Sequence, residues 1–130
     1  MVSRLALRPL PSAVRCARLH AKLVLREWNL AHVGEDAELI VSELATNALH
    51  ASRSLSDDQP IVLHLQASHE RLTIQVWDAL PAAPHPQPHA IDAETGRGLE
   101  IVSILSDRWG FYRPRTGGKL VWAILELKTL

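Results

Sequence analysis

Apolar residues recur at helical spacing through Val14, Ala17, Ala21, Val24, Leu25 and Trp28, after a short extended lead that ends at Pro11. This period predicts a first amphipathic helix with Ser12 as its N-cap. A loop with Gly34 follows, and Glu35, Asp36 and Glu38 then load the start of a second helix with the negative charge its dipole favours. Ala37, Ile40, Val41, Leu44, Ala48 and Ala51 form the apolar stripe of that helix. Beyond a polar connector at Ser52 to Pro60, Ile61 to Ala67 and Arg71 to Asp78 alternate apolar and polar residues. With three residues between them they predict an antiparallel hairpin that buries Leu63, Leu65, Leu72, Ile74 and Val76 on one face. Four prolines between Leu80 and Ala90 deny that stretch a helix or an inner strand and predict a long extended loop. Helical period returns through Leu99, Val102 and Leu105, and two strands close the chain, around Trp109 to Tyr112 and at Leu120 to Leu127. The elements sum to an α+β fold, a two-layer sandwich with about three helices on one face of a mixed, mostly antiparallel sheet.

Composition narrows the function classes. The 130 residues, 47% of them hydrophobic and 22% charged, make one domain, 1–130, with an ordinary core. Fourteen basic and fourteen acidic residues cancel, so no global charge draws the chain to nucleic acid or to an anionic membrane. No apolar run approaches the roughly eighteen residues of a membrane span, and no leader is apparent at the N-terminus. A cytoplasmic protein is expected. The single cysteine, Cys16, has no internal disulfide partner and reads as a buried structural thiol. The four tryptophans read as packing residues. Of the seven histidines, His20, His32, His64, His69, His85 and His89 lack partners at zinc-ligand spacing and read as surface or lid residues.

Three islands can carry chemistry. Glu43, Asn47 and His50, spaced by four and three positions, project from one face of the second helix, offset from its apolar stripe. A carboxylate and an amide so placed can hold a hydrated magnesium ion and polarise an attacking oxygen, although a solvated polar face has the same spacing. Asp78 closes an apolar strand, where its carboxylate can accept a base-selective hydrogen bond from an exocyclic amine, or can form a turn before the proline loop. Gly96, Arg97 and Gly98 stand just before the third helix, where backbone amides and a guanidinium fork can meet a phosphate; a plain helix-start turn is the alternative. These glycines are neither a Walker loop nor a dinucleotide fingerprint.

Together ELATNALHAS, VWDALP and TGRGLEIV resemble the N, G1 and G2 boxes of the GHKL ATPase and kinase superfamily. The chain closely resembles small bacterial anti-sigma factor serine kinases of the HATPase_c type, and SDRWGFYRPRTGGKLVWAIL resembles their closing strand pair. The resemblance implies an ATP site between helices and sheet, with Asn47 on Mg2+, Asp78 on the adenine amino group, and His50, Gly96, Arg97, Gly98 and Leu99 around the nucleotide. It makes Glu43 the catalytic proton acceptor and residues 80–95 an ATP lid. Two positions depart from the family pattern: Ala79 and Leu80 stand where Asp-x-Gly is usual, and Lys119 stands where many members have threonine. No role in the base pocket is assigned to Lys119.

The function implied by the resemblance is an ATP-binding anti-sigma-factor-like regulator that phosphorylates a serine of an anti-anti-sigma partner of the STAS type, with a sigma factor as the other partner. The alternative is a nucleotide-gated protein-binding module without kinase activity. A third is an interaction domain whose site has decayed, favoured by the missing G1 glycine. Related kinases usually act as homodimers, which the sequence alone does not show.

Overall fold

The computed structural model describes residues 1–53, 59–80 and 93–127, with the backbone alone for 93–98. In chain order the elements are β1 (Val2–Leu7), α1 (Ala13–Glu27), a single 3-10 turn (Ala31–Val33), α2 (Gly34–Ser52), β2 (Ile61–Ala67), β3 (Arg71–Asp78), α3 (Ala93–Leu105), β4 (Arg108–Tyr112) and β5 (Lys119–Glu126). The strands form one sheet in the order β1-β2-β3-β5-β4. Every pairing is antiparallel, so the expected mixture of directions is absent among the described residues.

Alternation in the strands sends one face to the helices. Leu63 and Leu65 of β2, Leu72, Ile74 and Val76 of β3, and Val121, Ala123 and Leu125 of β5 join a core with Ala17, Ala21 and Leu25 of α1, Ile40, Val41 and Leu44 of α2, and Val102 of α3. Each of these larger side chains contributes about 1.5–3 kcal/mol by leaving water. On the opposite face Val62, Trp77, Leu120, Trp122 and Ile124 are half-buried. The sheet is thus asymmetric, and the helix-facing side carries the core.

The lead before α1 is a strand in its own right. β1 covers the outer edge of β2, pairing Val2 with Gln66 through to Leu7 with Ile61, and Ser3 Oγ lies 2.8 Å from His20 Nε2 on α1. Ser12 precedes α1 without making a side-chain cap bond, contrary to its expected capping role. The helix ends where Asn29 takes a left-handed φ of 62°. Asn29 N–H donates to Arg26 O at 3.2 Å and Leu30 N–H to Leu25 O at 2.7 Å, which satisfies two terminal carbonyls. Cys16 is exposed, a correction of the buried thiol expected for it. Its neighbour Ala17 lies on the buried stripe Ala13–Ala17–Ala21, and one residue along a helix turns the side chain about 100° away.

Candidate functional site

The site is built around α2, which packs on both β3 and α3. Its buried positions, Ala37, Ile40, Val41, Leu44, Ala45, Ala48 and Leu49, face the core. Glu43, Asn47 and His50 flank that stripe and are all half-buried. Residues at i, i+4 and i+7 stack on one line of a helix, so the three form a polar seam beside the core instead of a fully solvated face. Glu35 and Asp36 in the first turn complement the dipole at the other end of the helix.

Asp78 ends β3 on the helix-facing side and is directly opposite Lys119, the first residue of β5. Lys119 Nζ donates to Asp78 Oδ2 at 2.7 Å, with both side chains only 1% exposed. The other oxygen, Oδ1, accepts Leu80 N–H at 2.9 Å, so Asp78 also forms the turn that was the alternative reading of this residue. Burial raises the Asp78 carboxyl above its ordinary range, and the Lys119 hydrogen bond, the Lys119 charge and the Leu80 N–H oppose that rise without cancelling it. Lys119 is therefore part of the Asp78 environment, contrary to the expectation that it stands apart.

A glycine pair makes this approach feasible. Gly117 and Gly118 have φ of 107° and 74°. A Cβ on Gly118 would collide with the backbone oxygen of Asp78 and come within 2.7 Å of the Trp77 ring, whereas one on Gly117 would meet nothing. Trp77 Nε1–H donates to Gly117 O at 3.0 Å, which fastens the start of β5 across the end of β3. Only glycine at position 118 lets the two backbones come close enough for Lys119 to reach Asp78. The sequence holds Gly118 and Lys119 side by side without connecting them to Asp78, because the link is a cross-strand register. The useful signal was the pair of glycines immediately before an apolar strand that holds one charged residue.

The third island is placed differently from its expected position. Gly96, Arg97 and Gly98 lie inside α3, not before it. By helix geometry the amides without an intrahelical acceptor are those up to Thr95, so the Gly-Arg-Gly amides are not the helix's free ones. Ala93 and Glu94 are good helix formers and extend the helix past the glycines, each of which costs about 1 kcal/mol. Leu99 is 4% exposed, a core side chain whose amide also lies past the free ones of the helix. Of the proposed lid, residues 81–92 lie outside the described residues, and Ala93 to Thr95 are already helical. Among the described residues no group of histidines, cysteines and carboxylates could hold a metal ion; His20 meets Ser3, while His64 has a buried Nδ1 without a partner there. His85 and His89 lie outside the described residues.

α2, β3, α3 and the start of β5 thus bring a half-buried carboxylate-amide seam, a buried acid-ammonium pair and a helix N-terminus onto adjoining elements. The elements that carry them form a two-layer α+β sandwich. The family model of the histidine kinase-like ATPase domain matches residues 7–125, and the chain belongs to that family. Membership implies ATP binding. No curated protein gives a match to the chain. No helix among the described residues is long and apolar enough to cross a membrane.

The Asp78–Lys119 pair does not use its full hydrogen-bonding capacity on the described residues. A carboxylate offers about four lone-pair directions and an ammonium three N–H donors. Among the described residues Asp78 accepts from Leu80 and Lys119, and Lys119 donates to Asp78 alone. Acceptor and donor capacity therefore remain side by side in a buried position, where leaving them unused is costly.

Proposed function

We propose that this chain is a cytoplasmic ATP-binding regulator that phosphorylates a serine of a STAS-type anti-anti-sigma partner and exchanges that partner for a sigma factor. The observation that carries this reading is the placement of Glu43 and Asn47 one turn apart on α2, half-buried, on the helix that packs against the strand ending in Asp78. The likeness of ELATNALHAS, VWDALP and TGRGLEIV to the boxes of these kinases supports it further.

In this reading Asp78 accepts the adenine amino group and Asn47 supplies an amide oxygen to Mg2+, whose chemistry is to neutralise phosphate charge. His50, Gly96, Arg97 and Gly98 flank the nucleotide, with Leu99 packed behind them in the core. Glu43 accepts the proton of the incoming serine hydroxyl, so that the serine oxygen bonds to the γ-phosphorus as the β–γ bridging bond breaks and ADP leaves. Little covalent chemistry is asked of the protein beyond holding these groups in line.

The test is transfer of labelled γ-phosphate to a co-encoded or co-purified STAS protein by the wild type, Glu43→Ala and Asn47→Ala. Glu43→Ala should retain ATP binding and lose roughly 10²- to 10⁴-fold in transfer rate, the usual worth of a general base. Asn47→Ala should weaken both binding and transfer. A wild type that binds ATP and the partner but transfers no label replaces the kinase with a nucleotide-gated binding module.

A further inference from the structure

Lys119 is a fully buried cation at a sheet end where the rest of the helix-facing surface of β5, Val121, Ala123 and Leu125, is apolar. A lysine needed only to neutralise Asp78 would be an expensive solution, because two buried charges lose hydration that their attraction seldom repays in full. Its ammonium has one protein acceptor among the described residues, Asp78 Oδ2 at 2.7 Å, and two further N–H donors. No other group among the described residues accepts them, which leaves a place for an acceptor next to the carboxylate.

We propose that Lys119 is a second base-reading residue, donating from Nζ to the ring nitrogen that adjoins the amino group accepted by Asp78. This rests on the reading of Asp78 as the adenine contact. The two side chains then form an acceptor-donor pair held in fixed order by the β3–β5 register and by the Gly118 approach. Adenine presents the complementary order, an amine donor at C6 and an acceptor at N1. Guanine presents the reverse, a carbonyl acceptor at C6 and an N–H donor at N1, so both contacts turn repulsive at once. Discrimination is thereby built from two buried groups instead of one.

The experiment is calorimetric titration of the full chain, with magnesium, against ATP, GTP and 1-deaza-ATP, in which N1 is replaced by C–H. The wild type should bind 1-deaza-ATP about tenfold to a hundredfold more weakly than ATP, the worth of one hydrogen bond from a charged donor, and GTP more weakly still. In Lys119→Met the difference between ATP and 1-deaza-ATP should disappear. Should that variant fail to fold with Asp78 left unpaired, the uncharged pair Asp78→Asn with Lys119→Met serves in its place and should likewise show no 1-deaza penalty. Equal affinity of the wild type for ATP and 1-deaza-ATP, equal affinity for ATP and GTP, or a 1-deaza penalty that persists without Lys119 overturns the proposal while leaving ATP binding standing. A lysine that served the phosphates would weaken ATP and 1-deaza-ATP alike, and that result also overturns it. If the wild type binds none of the three nucleotides, the proposed function falls and this inference with it.

Discussion

Asp78 and Lys119 depend on each other for stability as well as for any base contact. Lys119→Met leaves a carboxyl that is 1% exposed without its counter-charge, and breaking a buried pair from one side costs about 3–5 kcal/mol. Urea denaturation near neutral pH should therefore show a large loss for Lys119→Met, and a smaller loss when Asp78→Asn is added to it than the sum of the two single changes. Additive losses would show that the pair is not coupled. The same carboxyl gives a pH dependence of definite sign. Its folded value is raised by burial above its ordinary 3.8, so folding takes up a proton there. Its favourable contribution is complete below the unfolded value and is lost as pH rises through the folded value. Stability of the wild type relative to Asp78→Asn should accordingly decline with pH above about 4, the opposite of the trend for an exposed ion pair. At Cys16 the expectation is simpler: an exposed thiol on α1 should react with a thiol reagent in the native protein, without denaturant, whereas a buried one would wait for unfolding.

At the scale of elements, the clasp between β3 and β5 is set by two glycines with different demands. Gly117→Ala meets no neighbour and bears only the strain of its positive φ of 107°, about 1–3 kcal/mol. Gly118→Ala adds a collision with the Asp78 carbonyl and the Trp77 ring. It should lose more stability than Gly117→Ala, and it should weaken ATP binding because Lys119 is displaced with the backbone. Equal losses in denaturant titrations would remove Gly118 from this account. β1 is the other element whose role depends on its neighbours. It covers the outer edge of β2, so a chain lacking residues 1–7 should expose an unpaired strand edge and associate, which light scattering would detect.

For the whole molecule, α2 is the common neighbour of β3 and α3, so a nucleotide held between them stabilises elements distant in sequence. ATP with magnesium at a hundred times its dissociation constant should raise the unfolding free energy by about 2.7 kcal/mol through mass action. A matching rise in thermal midpoint is expected for the wild type, with a smaller one for Asn47→Ala at the same concentration. No shift at saturating ATP would count against nucleotide binding in this chain.

The sequence by itself determined the elements whose burial is periodic. α1, α2 and the β2–β3 hairpin were legible because their apolar residues repeat at 3.6 or 2, and the buried residues Leu63, Leu65, Leu72, Ile74 and Val76 follow from that repeat. The line through Glu43, Asn47 and His50 was legible for the same reason, since one helix fixes its own faces. Tertiary structure decided what periodicity does not encode. β1 reads as a short extended lead until β2 gives it a partner, and Cys16 takes its exposure from which side of α1 meets α2. Gly96 to Gly98 look like a helix start because glycine has low helix propensity, yet α3 begins before them. The Asp78–Lys119 pair lay furthest from the sequence, as its partners are 41 positions apart. A register of antiparallel strands and a glycine close enough for backbone contact bring them together, and only the folded sheet fixes both.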